Sequence, residues 1–169
     1  LGFEKYVGSK TSLRIVNCHI FNSLLPNFTK ENEEIFSEYD PEYALKIRDE
    51  EILIKNNVSP EQFSSVFDIM RNNGCVVNMF NPSQLKKLTD ELNSPVGKEP
   101  SCGMVGVFMA QLMREEVSCF GFNFYDDPWE SKHYYEDMKP YDIDASHSFD
   151  YEKKWMCDLE AEGKIRIYK

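Results

Sequence analysis

A basic surplus is missing from this sequence. Lysine and arginine number 19 against 29 aspartates and glutamates, a formal charge of −10 over 169 residues. Phosphate backbones and anionic headgroups need a basic face, so nucleic-acid binding and docking on acidic membranes are excluded as main functions. Long hydrophobic runs are missing too. The longest, Gly103 to Met113, falls well short of the ~20 residues a spanning helix needs. No secretory signal opens the chain. The first residue is Leu rather than Met, so that absence excludes no anchor or targeting segment. The 5 cysteines include no pair at CxxC spacing, which argues against a structural zinc site. Their odd number leaves at least one thiol outside any intrachain disulfide. Cys18, Cys75 and Cys119 lie in apolar strand-like runs and read as buried small hydrophobes. Repeats and low-complexity tracts are absent, as is GxSxG, which weakens the case for a hydrolase nucleophile.

What is present suffices for a packed core: 41% hydrophobic residues, with 14% aromatics. Leu13 to Ile20, Glu51 to Ile54, Cys75 to Phe80, Val117 to Phe124 and Lys164 to Tyr168 read as strands. Between them lie helical stretches. One begins at Pro60, with Ser59 as cap, and stops at Gly74. A second opens at Asn81-Pro82-Ser83. A third runs from Ser101 to about Glu115, and a fourth from Ser148 to Glu162 before Gly163. Asp126 to Asp144 reads as a long acidic, aromatic loop. The alternation predicts an α/β sandwich with a largely parallel sheet. Ligands of such sheets bind beyond the carboxyl ends of the strands, which directs attention to the loops after Phe80, before Ser101 and after Phe124. Residues 31 to 51 are dense in acids and read as a solvated face or loop.

Three segments carry candidate chemistry. Pro100-Ser101-Cys102-Gly103-Met104 opens a helix, where unpaired N–H groups and the positive dipole end can hold a carboxylate or phosphate and Gly103 admits close approach. The plain alternative is an ordinary capped helix. His133-Tyr134-Tyr135-Glu136 offers an imidazole for a phosphate oxygen or a proton shuttle, and tyrosines that can donate or stack. The alternative there is a surface loop. His147 stands just before the last helix, a position that suits a neutral imidazole able to accept a proton. Glu152, five positions on, could meet the dipole end, a loop amide or that histidine. His133, Glu136, His147 and Glu152 could also ligate a metal. However, His-x-x-Glu in a loop lacks the helical spacing of a metalloprotease, and no required metal is expected.

Taken in order, these segments resemble the eukaryotic-type sialyltransferases. Gly2-Phe3-Glu4-Lys5-Tyr6-Val7-Gly8-Ser9-Lys10-Thr11 looks like the tail of their large motif. Pro100 to Met104, continuing through Glu115-Glu116-Val117 to Phe120-Gly121-Phe122, looks like their small motif. His133-Tyr134-Tyr135-Glu136 looks like motif III, and His147 with Glu152 matches the H-x(4)-E of the very small motif. The resemblance implies a Rossmann-like, glycosyltransferase-A-like variant: a mixed, largely parallel sheet flanked by helices. It implies transfer of sialic acid, or a related keto-sugar, from a CMP-activated donor to a glycan hydroxyl, with inversion and without a metal or other cofactor. His147 would be the general base and His133 would stabilise the departing phosphate. Ser101, Cys102, Gly103, Tyr134 and Glu152 would serve donor binding. The acceptor would be a glycan on glycoprotein or glycolipid, and the setting the Golgi lumen behind an N-terminal membrane anchor.

Cys102 stands where the family has Thr or Ser. Arg114 replaces the cysteine before D-E-V, so the family's disulfide between the large and small motifs is not expected. The front half of the large motif is absent from the chain. The expectation is therefore that residues 1–169 form a single portion of a catalytic domain lacking its N-terminal part. A non-catalytic sugar-nucleotide or glycan-binding domain derived from the fold is the alternative.

Overall fold

The computed structural model describes residues 13–16, 51–55, 60–122 and 147–168. The chain forms two compact units, Leu1–Pro82 and Ser83–Lys169.

The first unit holds a parallel three-stranded sheet in the order β1 (Leu13–Val16), β2 (Glu51–Ile54), β3 (Val76–Met79). Leu13 pairs with Glu51, and Glu51 with Val76. Helix α1 (Pro60–Asn72) joins β2 to β3, the crossover a parallel pair requires. Its apolar side chains Phe63, Phe67 and Ile69 pack on a core of Val16, Ile52, Ile54, Met70, Cys75 and Val77. The helix ends as its sequence predicts. Gly74 takes φ 77°, its N–H donates to Arg71 O, and Cys75 N–H donates to Met70 O. Those are the two bonds of a Schellman cap, which turns the chain directly into β3.

The second unit holds a parallel pair, β4 (Val117–Phe120) and β5 (Ile165–Tyr168), with Val117 opposite Ile165. Its helices are α2 (Pro82–Leu92), α3 (Cys102–Met113) and α4 (Phe149–Ala161). Helix α3 is apolar on almost every side (CGMVGVFMAQLM); Met104, Val105, Val107 and Phe108 are buried, while Leu112 and Met113 at its end are exposed. Helix α4 is two-sided. Trp155, Met156 and Leu159 face inward while Lys154 and Asp158 pair at the surface. It closes on the same cap as α1: Gly163 has φ 73°, Gly163 N–H donates to Glu160 O and Lys164 N–H to Leu159 O. The chain then enters β5.

The α/β expectation and the parallel pairing hold, in two small sheets flanked by helices. The strand expected to reach Phe124 stops at Phe120, because Gly121 takes φ 78° and leaves the extended region. Phe124, the loop 126–144 and residues 17–20 of the first strand lie outside the described residues. Among the described residues no helix is long and apolar enough to cross a membrane.

Candidate functional site

The second unit brings together the small-motif turn and the start of α4. Ser101 is the N-cap of α3: with φ −67° and ψ 164° it is extended, and its Oγ accepts from Met104 N–H at 3.3 Å. Ser101 O accepts the first intrahelical bond, from Val105 N–H, at 3.1 Å. This is the arrangement expected of a serine cap.

Glu152 reaches this cap from across the sequence. The residue is 2% exposed. One carboxylate oxygen accepts from Ser101 N–H at 2.7 Å and the other accepts from Ser101 Oγ–H at 2.7 Å. A carboxylate at a helix N-terminus is favoured by the dipole and by charge-assisted hydrogen bonds. Of the partners open to Glu152 in the sequence, it takes a backbone amide at a helix start, together with that residue's hydroxyl, and not His147. The carboxylate held by Ser101 in this structure is thus one of the chain's own.

His147 lies beside the same turn. Its Nδ1 is 2.8 Å from Glu99 O, two residues before Ser101. A carbonyl oxygen only accepts, so Nδ1 carries the proton and, in the neutral ring, Nε2 presents a lone pair. Phe149 packs edge-on against the imidazole, at 5.7 Å between ring centres. Ser148, the N-cap of α4, forms no side-chain capping bond; its carbonyl takes Tyr151 and Glu152 N–H.

Gly103 faces Phe122. A Cβ placed on Gly103 would lie 3.0 Å from Phe122 Cε1 and 3.7 Å from Ser101 Oγ. The close approach that this glycine permits is, in this structure, the approach of an aromatic ring to the first turn of α3. Cys102 is the first residue of that helix and is half-buried. Among the described cysteines (Cys75, Cys102, Cys119 and Cys157) there is no disulfide. Burial, aided by the nearby Glu160 carboxylate, raises the Cys119 thiol above its ordinary pKa, as fits a core residue. Arg114, at the family's cysteine position, caps α3 by donating its N–H to Ala110 O.

His147, Ser101, Cys102, Gly103 and Glu152 therefore belong to one neighbourhood. His133, Tyr134, Glu136 and the Gly2–Thr11 stretch lie outside the described residues. Among the described residues no group of three or more His, Cys, Asp or Glu side chains is placed to hold a metal. Two participants escaped the sequence reading. Glu99 acts through a backbone carbonyl, for which sequence carries no signal. Phe122 sat in the Phe120-Gly121-Phe122 stretch, but its approach to Gly103, 19 residues earlier in the chain, has no signal in the sequence.

The sequence profile of glycosyltransferase family 29 (sialyltransferase) matches residues 1–164. The CMP-N-acetylneuraminate-beta-galactosamide-alpha-2,3-sialyltransferase 1 of Pan troglodytes is 25% identical over 171 residues, covering 99% of this chain and 48% of that protein. The chain spans about half the length of the curated relative it matches. No solved structure matches it. With a small-motif turn, a histidine and a glutamate in one cluster, and a family profile that runs almost from end to end, the chain belongs to glycosyltransferase family 29, the sialyltransferases.

Proposed function

We propose that this chain carries the base-bearing half of a sialyl transfer site. Sialic acid, or a related keto-sugar, moves from a CMP-activated donor to a glycan hydroxyl. The glycan belongs to a glycoprotein or glycolipid, and no nucleic acid takes part. The Golgi lumen, on a membrane-anchored protein, is the setting that the family membership suggests.

The observation that carries the reading is the 2.8 Å contact between His147 Nδ1 and Glu99 O. With Nδ1–H donated to Glu99 O, two residues before Ser101, the lone pair of a general base is on Nε2. His147 takes the acceptor proton as the acceptor oxygen attacks the anomeric carbon. Attack on the side away from the departing phosphate inverts that centre. Charge grows on the CMP phosphate as the C–O bond breaks, and His133 is assigned to meet it, as hydrogen-bond donors aimed at developing charge are what the step demands. The Cys102–Gly103 segment and Tyr134 are assigned to the donor. No metal has a part in this scheme.

The test is His147→Ala in an active preparation, with CMP-sialic acid and a panel of galactosides. Loss of the base should lower kcat by about 10²–10⁴-fold. CMP affinity, measured by calorimetry, should stay close to that of the parent protein. Full activity in the variant would remove the base assignment. CMP binding with no transfer in the parent protein would favour a binding domain instead.

A further inference from the structure

We propose that Glu152 is a positioning residue that holds His147 in register with the Ser101–Gly103 turn and does not itself contact the donor. The inference rests on the reading of His147 as base.

Three observations lead to it. First, Glu152 is almost wholly buried and both of its oxygens are engaged, at 2.7 Å each, by the amide and hydroxyl of Ser101. A buried carboxylate so satisfied is stable where it is, and moving it to meet an anionic donor would strand a charge away from water. Second, the Ser101 hydroxyl has a single proton, and Glu152 takes it. That fixes the rotor, so the oxygen lone pair points at Met104 N–H, 3.3 Å away. Glu152 thereby sets the cap of α3, and Ser101 has neither its N–H nor its O–H left for the donor. Third, the segment 99–101 is tied to the segment 147–152 at two places. His147 Nδ1–H holds Glu99 O, and Glu152 holds Ser101. Two ties at different points suppress rotation as well as translation. The carbonyl that orients the imidazole lies two residues before the serine held by the carboxylate, which is itself five residues beyond His147.

Conversion of Glu152 to glutamine keeps the shape and reverses one polarity. The amide nitrogen can only donate; facing the Ser101 hydroxyl it reverses that bond, so the hydroxyl proton loses its acceptor, the rotor is no longer fixed and the charge assistance to both bonds is gone. The register of Glu99 O then loosens, and His147 with it. Misplacement of a reacting group by about 1 Å can lower a rate by about 10²-fold.

The experiment combines nitrogen NMR of the histidine-labelled protein with transfer kinetics and CMP calorimetry, on the parent, Glu152→Gln and Ser101→Ala. In the parent, His147 should show the Nδ1–H tautomer. In both variants that tautomer should lose its dominance and kcat should fall by about 10²-fold, while CMP affinity changes little. Ser101→Ala retains the amide bond to Glu152, so it supplies the answer should the glutamine variant fold poorly. An unmoved His147 tautomer in both variants would overturn the proposal. So would a loss of CMP affinity in Glu152→Gln with His147 unmoved, because Glu152 would then act on the donor. A shifted tautomer with undiminished transfer would sustain the positioning role and bring down the base assignment, so the two readings fail separately.

Discussion

At the scale of single residues, Gly103 is where packing and chemistry meet. A methyl at this position would lie 3.0 Å from Phe122 Cε1, closer than carbon atoms rest without movement. Overpacking of this kind costs about 1–3 kcal/mol, against which alanine's better helix propensity returns up to about 1 kcal/mol. Gly103→Ala should therefore lower the thermal midpoint modestly and displace the Phe122 ring. A variant at least as stable as the parent, with an unshifted Phe122 signal, would show that the ring gives way without cost. Ser101 and Glu152 mark what sequence could disclose about the site and what it could not. The helix-opening serine was legible from local pattern, because a cap needs only its own helix. Its partner was one of several acids, and the choice among them was made by a contact 51 residues away in the chain. Local spacing placed Glu152 in the first turn of a helix but could not say that the carboxylate turns toward Ser101 and not toward His147.

At the scale of elements, the two helix-to-strand turns obey the same local rule and were readable for that reason. Gly74 and Gly163 both adopt left-handed φ, 77° and 73°, and both close a helix whose next residues enter a parallel strand. Nothing lies within 4 Å of the place a Cβ would take on Gly163, so a side chain there meets backbone strain alone. Gly163→Ala should cost about 1–2 kcal/mol, the ordinary penalty of an L-residue in the left-handed region. Chemical denaturation measures it: the midpoint should fall with an unchanged slope. An unaltered midpoint would mean that α4 does not depend on this cap. Boundaries were less legible than element types. The apolar character of Val117 to Phe124 suggested a longer strand, but Gly121 at φ 78° ends it at Phe120. Apolar sequence continues past the ladder because Phe122 is needed for packing against Gly103, not for pairing. The same run of hydrophobic residues serves two elements, and periodicity has no means of marking the division.

At the scale of the whole molecule, charge becomes the deciding quantity. The chain carries a formal −10, and the donor assigned to it is anionic at both carboxylate and phosphate. A protein of one sign repels a ligand of the same sign over a distance set by the Debye length, about 30 Å at 0.01 M salt and about 8 Å at 0.15 M. The short-range donors of the site operate inside that distance and are screened far less. Added salt should therefore weaken the long-range repulsion more than it weakens binding. We expect kcat/KM for the CMP-activated donor to rise between about 0.01 and 0.15 M sodium chloride, with kcat nearly constant. A nucleotide-binding protein with a basic surface should give the opposite slope. The measurement is a set of donor saturation curves at fixed acceptor and pH, repeated with a neutral glycan as the varied substrate to isolate the donor's charge. A fall in kcat/KM with salt would mean that a locally positive field around the turn overrides the net charge. The donor would then be steered in by residues beyond the Ser101–Gly103 neighbourhood.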